Sequence, residues 1–338
     1  MSANMRTVCL RLFGLMLLLL SWPMRASAEV APTPDYRFIE ELRIHTEGDA
    51  DPSAWQHQTE GQQAQAITKL KDFATVAQKT EHLKMRLVET SHFLIYTDNG
   101  IAANLVKEDG GYLETAYTGM NKVFNNKLGT GGQGSNIWQG KALVFIFSDN
   151  DIAEDFLRRV YHMNAAVSPM ADIRSLPMVS LNNSGSVAIV AAQSDIFRNA
   201  KRDLVLAMAD GYLFRLHSPT PIAPWVESGL VLAIADSIHY QSNQYTESDA
   251  EVARNIRVNT TFYLRNNDVN RLLGSPSPAP WACEGLVDYL IGQSPSRMAK
   301  FVLDMKDGKE WEDALKDIYQ TSPSELKTAY LSSAEDVR

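Results

Sequence analysis

Six apolar residues in a row, Ala142 to Phe147 (ALVFIF), stand between Gly140 and the turn-forming Ser148-Asp149-Asn150. A short apolar run closed at both ends by turn formers reads as a strand buried on both faces, and such a strand needs helices above and below its sheet. The neighbouring sequence supplies them. Val187 to Ala191 is a second buried strand, preceded by the turn-rich Asn182-Asn183-Ser184-Gly185, and His92 to Thr97 (HFLIYT) is a third, alternating and β-rich. Helical spacing runs from Gln62 to Val88 through Ala66, Leu70, Phe73, Ala77 and Leu83, and from Ala102 to Leu128 through Leu105, Leu113, Tyr117, Met120 and Phe124. Ile152 to Tyr161 forms a further helix that Asp149 or Asn150 can cap. Everything after Ala200 is helical in pattern. The expected fold is α+β: an N-terminal α/β half with a small sheet, then an all-helical C-terminal half, joined near residue 200.

The start of the chain reads as an export signal. Arg6 and Arg11 make a positive leader, Leu12 to Leu20 an apolar core, and Ala26-Ser27-Ala28 a small-residue cleavage pattern. Cleavage after Ala28 would leave a chain beginning at Glu29, free in a periplasmic or extracellular compartment. Residues 29–60 form a polar, proline-containing lead-in, and residues 61–335 a single domain. The whole chain carries 32 basic and 40 acidic residues; loss of Arg6, Arg11 and Arg25, with no acid lost, leaves 29 against 40. That balance argues against a nucleic-acid partner, which needs clustered Lys and Arg. No later stretch approaches the roughly 20 apolar residues of a membrane helix, since Leu204 to Leu216 contains Asp210 and Arg215. Stable membrane insertion is therefore not expected. After cleavage one cysteine remains, Cys283, set among Trp281, Leu286 and Val287, where a buried structural thiol is expected.

Most short motifs carry little chemistry. Gly129, Gly131 and Gly134 match G-x-G-x-x-G, but the loop follows a helix and leads into a strand, the reverse of a dinucleotide site, and Ser135 and Asn136 stand where a phosphate loop needs Lys and Ser or Thr. No G-x-S-x-G elbow occurs. His45, His57, His82, His92, His162, His217 and His239 are scattered without metal-ligand spacing. Asp236 and His239 lie one helical turn apart, yet two ligands do not make a zinc site. Asn182 and Asn259 open N-x-S/T sequons.

A family resemblance rests on longer stretches. HFLIYTD at 92–98, ALVFIFSDNDIAEDF at 142–156 and SVAIVAA at 186–192 are followed by VDYLIG at 287–292, FVLDMKDGKEWEDALKDIY at 301–319 and SPSELKTAY at 322–330. In this order they resemble the strands and closing helices of the peptidase MA-like family, a gluzincin group of exported or membrane-linked zinc peptidases. Active members carry H-E-x-x-H on the next helix, where the two histidines hold zinc and the glutamate activates its water. The corresponding helix here reads LVLAMADGYLF at 204–214, which places Met208 and Tyr212 at the histidine positions and Ala209 at the glutamate. The family's third ligand, in P-x-W-x-x-E-G-L-A, falls on Ser228 of APWVESGLVLAIAD, with Glu227 one residue early. PWACEGLVDY at 280–289 imitates the same motif and would offer Glu284 instead.

The resemblance thus implies a gluzincin-like fold whose zinc site is degenerate, without zinc or any other cofactor. The expected function is that of a non-catalytic exported protein with a binding or scaffold role, its partner a polypeptide or an envelope protein. The competing expectation is a hydrolase or peptidase with rearranged acids, Asp210, Glu227 and Asp236, centred on Glu227. That glutamate shares a helical face with Leu230, Val231, Ile234 and Ile238, where unpaired burial would raise its pKa.

Overall fold

The ALVFIF run forms β3 (Ala142–Phe147), and all six of its side chains are buried in the computed structural model. The structure describes residues 55, 58–124, 136–160, 179–183, 186–192, 200–241, 248–276 and 278–335. The leader, most of the lead-in, the glycine loop at 129–134 and the Ser184-Gly185 turn lie outside the described residues. Around β3 stand β1 (Met85–Glu89), β2 (Phe93–Asp98), β4 (Val179–Asn183) and β5 (Ser186–Ala192), in the sheet order β1-β2-β3-β5-β4. The three inner strands are parallel, and each edge is an antiparallel partner.

Strand alternation divides the sheet between two cores. Ile95, Val144 and Ile189 sit in register across β2, β3 and β5 and face the larger core, together with Phe93 and Ile146. The next row, Tyr96, Phe145 and Val190, faces the other side. There it packs under α1 (Glu60–Thr80) and α3 (Asn150–Val160), while α2 (Ala103–Phe124) belongs to the larger core. Asp149 does cap α3, accepting from the backbone N–H of Asp151 at 2.7 Å.

Two elements differ from the sequence reading. The helix expected to reach Val88 stops at Thr80; His82 takes a left-handed φ of 53°, which reverses the chain, and Met85–Glu89 pairs with β2 as an edge strand. Asn182 and Asn183, read as turn residues, are instead the last two residues of β4, which pairs with β5 in a hairpin.

The C-terminal half is helical, as expected: α4 (Ala200–Arg215), α5 (Pro224–Gln241), α6 (Ser248–Asn266), α7 (Val269–Leu273), α8 (Pro280–Gln293), α9 (Pro295–Lys306), α10 (Trp311–Tyr319) and α11 (Pro323–Glu335). The fold is therefore α+β, with its small sheet in the N-terminal half. Helix α4 joins the halves, resting on β4 and β5 and touching both α2 and α5. It is buried on almost every side, from Leu204 through Leu213, which is why its sequence shows no narrow amphipathic stripe.

Helix α8 fits between α5 and α6 at glycine contacts. A Cβ at Gly229 of α5 would stand 2.5 Å from the Cys283 carbonyl oxygen, and one at Gly285 of α8 would stand 2.4 Å from Thr260 Oγ1 of α6. Cys283 is wholly buried there, and burial pushes its thiol up to about 12, so it is unreactive. No helix among the described residues is long and apolar enough to cross a membrane.

Candidate functional site

Three of the residues that the resemblance sets at the zinc-site positions are packing groups. Met208, Ala209 and Tyr212 on α4 are all fully buried, alongside Leu204 and Val205. The Tyr212 ring lies among Tyr117 and Phe124 of α2 and Trp138, at centroid distances of 5.7, 6.2 and 6.2 Å. Its hydroxyl donates to Asn121 Oδ1 at 2.7 Å, which satisfies the one polar atom the ring brings into the core. Burial holds that phenol well above its ordinary pKa. The chemistry of this set does not fit a zinc ion: a thioether and a neutral, hydrogen-bonded phenol stand where the resemblance expects two imidazoles, and Ala209 brings no carboxylate.

Ser228 on α5 is only partly buried and has no hydrogen bond to Tyr212. Glu227 is also partly buried, and its backbone N–H bonds Ala223 as part of the helix start. It does not join Asp236: nine positions at about 100° each set the two carboxylates on opposite sides of α5. Asp210 is partly buried on α4.

The described histidines have local roles. His92 Nδ1 is 2.6 Å from Glu114 Oε2, and His217, at a left-handed φ of 64°, places Nε2 2.6 Å from Asp307 Oδ1. His82 is exposed at its turn. The side chains of His45, His57, His162 and His239 lie outside those described. Among the described residues, no group of three or more His, Cys, Asp and Glu side chains is arranged to hold a metal ion.

Polar groups do meet in the helical core at another place. Asp236 of α5 and Glu284 of α8 are only 7% and 4% exposed, and Arg202 of α4 donates through Nε to Asp236 Oδ1. Burial is the main cause that pushes the Glu284 carboxyl up to about 9. A hydrogen bond to Asp236 and the charges of Asp236 and Asp288 act in the same direction, opposed by Arg202. Glu284 therefore keeps its proton at neutral pH, in a hydrogen bond with Asp236. Its Oε1 is buried without a hydrogen-bond partner. Asp288, one turn further along α8, is pushed up to about 6 by its surroundings and by Asp236. Because its residue surface is largely exposed, the Asp288 shift is the weaker of the two.

A carboxylic acid beside a carboxylate and a guanidinium can hold, donate and take back one proton. Here its two central members are closed off from solvent, so the pair acts on the core around it. Sequence reasoning singled out Asp236, as a metal partner for His239 and as one of the rearranged acids, and Glu284, as a motif look-alike, and missed Arg202 and Asp288. One signal was present: Glu284 and Asp288 are like charges at i and i+4 on an apolar helix, which disfavours ionisation of both. Their meeting with Asp236 and Arg202 depends on contacts 34 or more positions apart in the chain.

Comparison with protein-family models finds no match for this chain, and comparison with curated proteins finds none either.

Proposed function

We propose that the chain is an exported, gluzincin-like protein without catalytic activity, serving the cell envelope by binding or scaffolding a polypeptide or envelope protein. The observation that carries this reading is the packing of Met208, Ala209 and Tyr212, with the Tyr212 hydroxyl held by Asn121. A ligand position in a working peptidase faces an open coordination site; Tyr212 faces an aromatic cluster, and Met208 and Ala209 are buried on the same helix. The fold supports the reading as well, since a small sheet precedes the helix in question and a helical half follows it.

Metal analysis with peptidase assays tests the proposal. The purified protein should hold no stoichiometric zinc and show no chelator-sensitive peptide hydrolysis. Met208→His alone should change neither result. Zinc near one per chain, lost together with a hydrolytic activity on chelation, would overturn the reading and make Glu227, His217 and His239 the ligands to test.

A hydrolase reading retains one favourable observation, the proton that Glu284 keeps beside Asp236. It requires substrate to reach carboxyls that are almost wholly covered, so it ranks second. A hydrolytic activity abolished by Glu284→Gln in a protein that remains folded would reverse the ranking.

A further inference from the structure

The outer face of α6 differs from the rest of the described surface. Phe262 and Val258 are 69% and 57% exposed, more than any other described large hydrophobic side chain. They are four positions apart, and at about 100° per residue they fall on one line with Arg254 and Arg265, within an arc of about 80°. All four are exposed. The opposite side of the helix is the packed one: Thr260 and Leu264 are buried, and α6 rests on α8 and α11. Between Arg254 and Arg265 the sequence has three arginines and no acid, and Glu251, one turn before Arg254, is the one acid of the helix that falls in the same arc. At one flank Tyr263 meets Trp281 edge-on at 5.2 Å, and Trp281 is itself partly exposed.

We infer that this face of α6 docks on the surface of an anionic lipid bilayer, with Val258 and Phe262 entering the headgroup layer and Arg254 and Arg265 meeting lipid phosphates. Charge complementarity and shape select this occupant. An apolar ridge bordered by arginines, with Trp and Tyr beside it, is the pattern of a helix lying in the membrane interface. A second copy fits poorly: antiparallel pairing of the two ridges would bring Arg254 of one against Arg265 of the other. A peptide ligand would need a groove, and an outward helix face is convex. Two apolar side chains and two guanidiniums give weak, reversible and salt-sensitive attachment without insertion. This inference is independent of the zinc-site argument.

The test is co-sedimentation of the full chain with vesicles of phosphatidylcholine alone or mixed with phosphatidylglycerol. Because Leu12 to Leu20 is an apolar segment in its own right, the reading is the difference between the parent chain and its variants. Phosphatidylglycerol should add a salt-sensitive increment of binding. Arg254→Gln or Arg265→Gln should reduce that increment about fivefold, and Phe262→Ser about tenfold or more. Arg254→Glu with Arg265→Glu should remove it. All these positions are exposed, so thermal melting should stay close to that of the parent. No phosphatidylglycerol-dependent increment, or variants that retain it in full, would overturn the inference. A concentration-dependent dimer in vesicle-free solution that Phe262→Ser dissolves would also overturn it, by assigning the face to a second copy.

Discussion

Helix α4 and the α5–α8 contact both bury polar atoms, and they do so in opposite ways. On α4 the phenol of Tyr212 enters an aromatic cluster with its hydroxyl satisfied by Asn121. Between α5 and α8, Glu284 is buried with one oxygen unpartnered and keeps its proton against a neighbouring carboxylate. A buried polar atom with a partner is close to neutral for stability, whereas one without a partner costs about 1–3 kcal/mol. The first region is therefore a finished core. The second holds polar groups at a cost, and only the second makes the fold sensitive to pH.

The largest expected effect falls on the finished core. Tyr212→Ala should destabilise the protein by about 3–5 kcal/mol in urea unfolding, because it empties a site enclosed by Tyr117, Phe124 and Trp138. A loss under about 1 kcal/mol would show that Tyr212 is not a packing group and would remove the contrast between the regions.

The next effect has the opposite sign and depends on pH. The folded pKa of Glu284 is raised from 4.5 to about 9, so the folded state keeps a proton that the unfolded chain gives up. Its contribution to stability is complete below about pH 4.5 and is lost as pH rises toward about 9. Asp288 adds the same trend between 3.8 and about 6. The parent should thus melt higher at mildly acidic pH than at pH 8. Glu284→Gln, neutral at every pH, should flatten the slope and stabilise the protein at pH 8 by about 1–3 kcal/mol. A parent that gains stability from pH 5 to pH 8, or a variant with an unchanged slope, would mean that Glu284 ionises normally. The smallest effect belongs to Ser228→Ala, within about 0.5 kcal/mol of the parent; a larger loss would place Ser228 in one of the two regions.

Legibility in the sequence follows the range of the interactions involved. β2, β3 and β5 were readable because each is an apolar run closed by turn residues. β1 was not: Met85, Arg86, Leu87 and Glu89 are all good helix formers, and the reversal that ends α1 falls on His82, where no glycine or proline marks it. β4 was hidden because asparagines usually signal turns, and here the next strand holds two of them in a ladder. Met208 and Tyr212 stand at i+4 and i+8 from Leu204, a spacing that sets all three on one helical face and marks them as packing residues. Asn121, which satisfies the phenol, lies 91 positions away, and no local pattern connects them. The Arg202–Asp236–Glu284 meeting was illegible for the same reason. The outer face of α6 was written in its own spacing, but only packing on α8 and α11 shows which side is left outside.

The two glycine contacts of α8 have a mechanical meaning. Where side chains separate two helices, a change of rotamer gives some slack; where a glycine brings one helix against another's backbone or hydroxyl, that slack is absent. Gly229 meets the Cys283 carbonyl on one side of the stack and Gly285 meets Thr260 on the other, so α5, α8 and α6 form a stiff laminate. Its outer lamina carries Phe262 and its middle lamina carries Glu284. Displacement of α6 would be transmitted through α8 to the α5 seam instead of being absorbed between them.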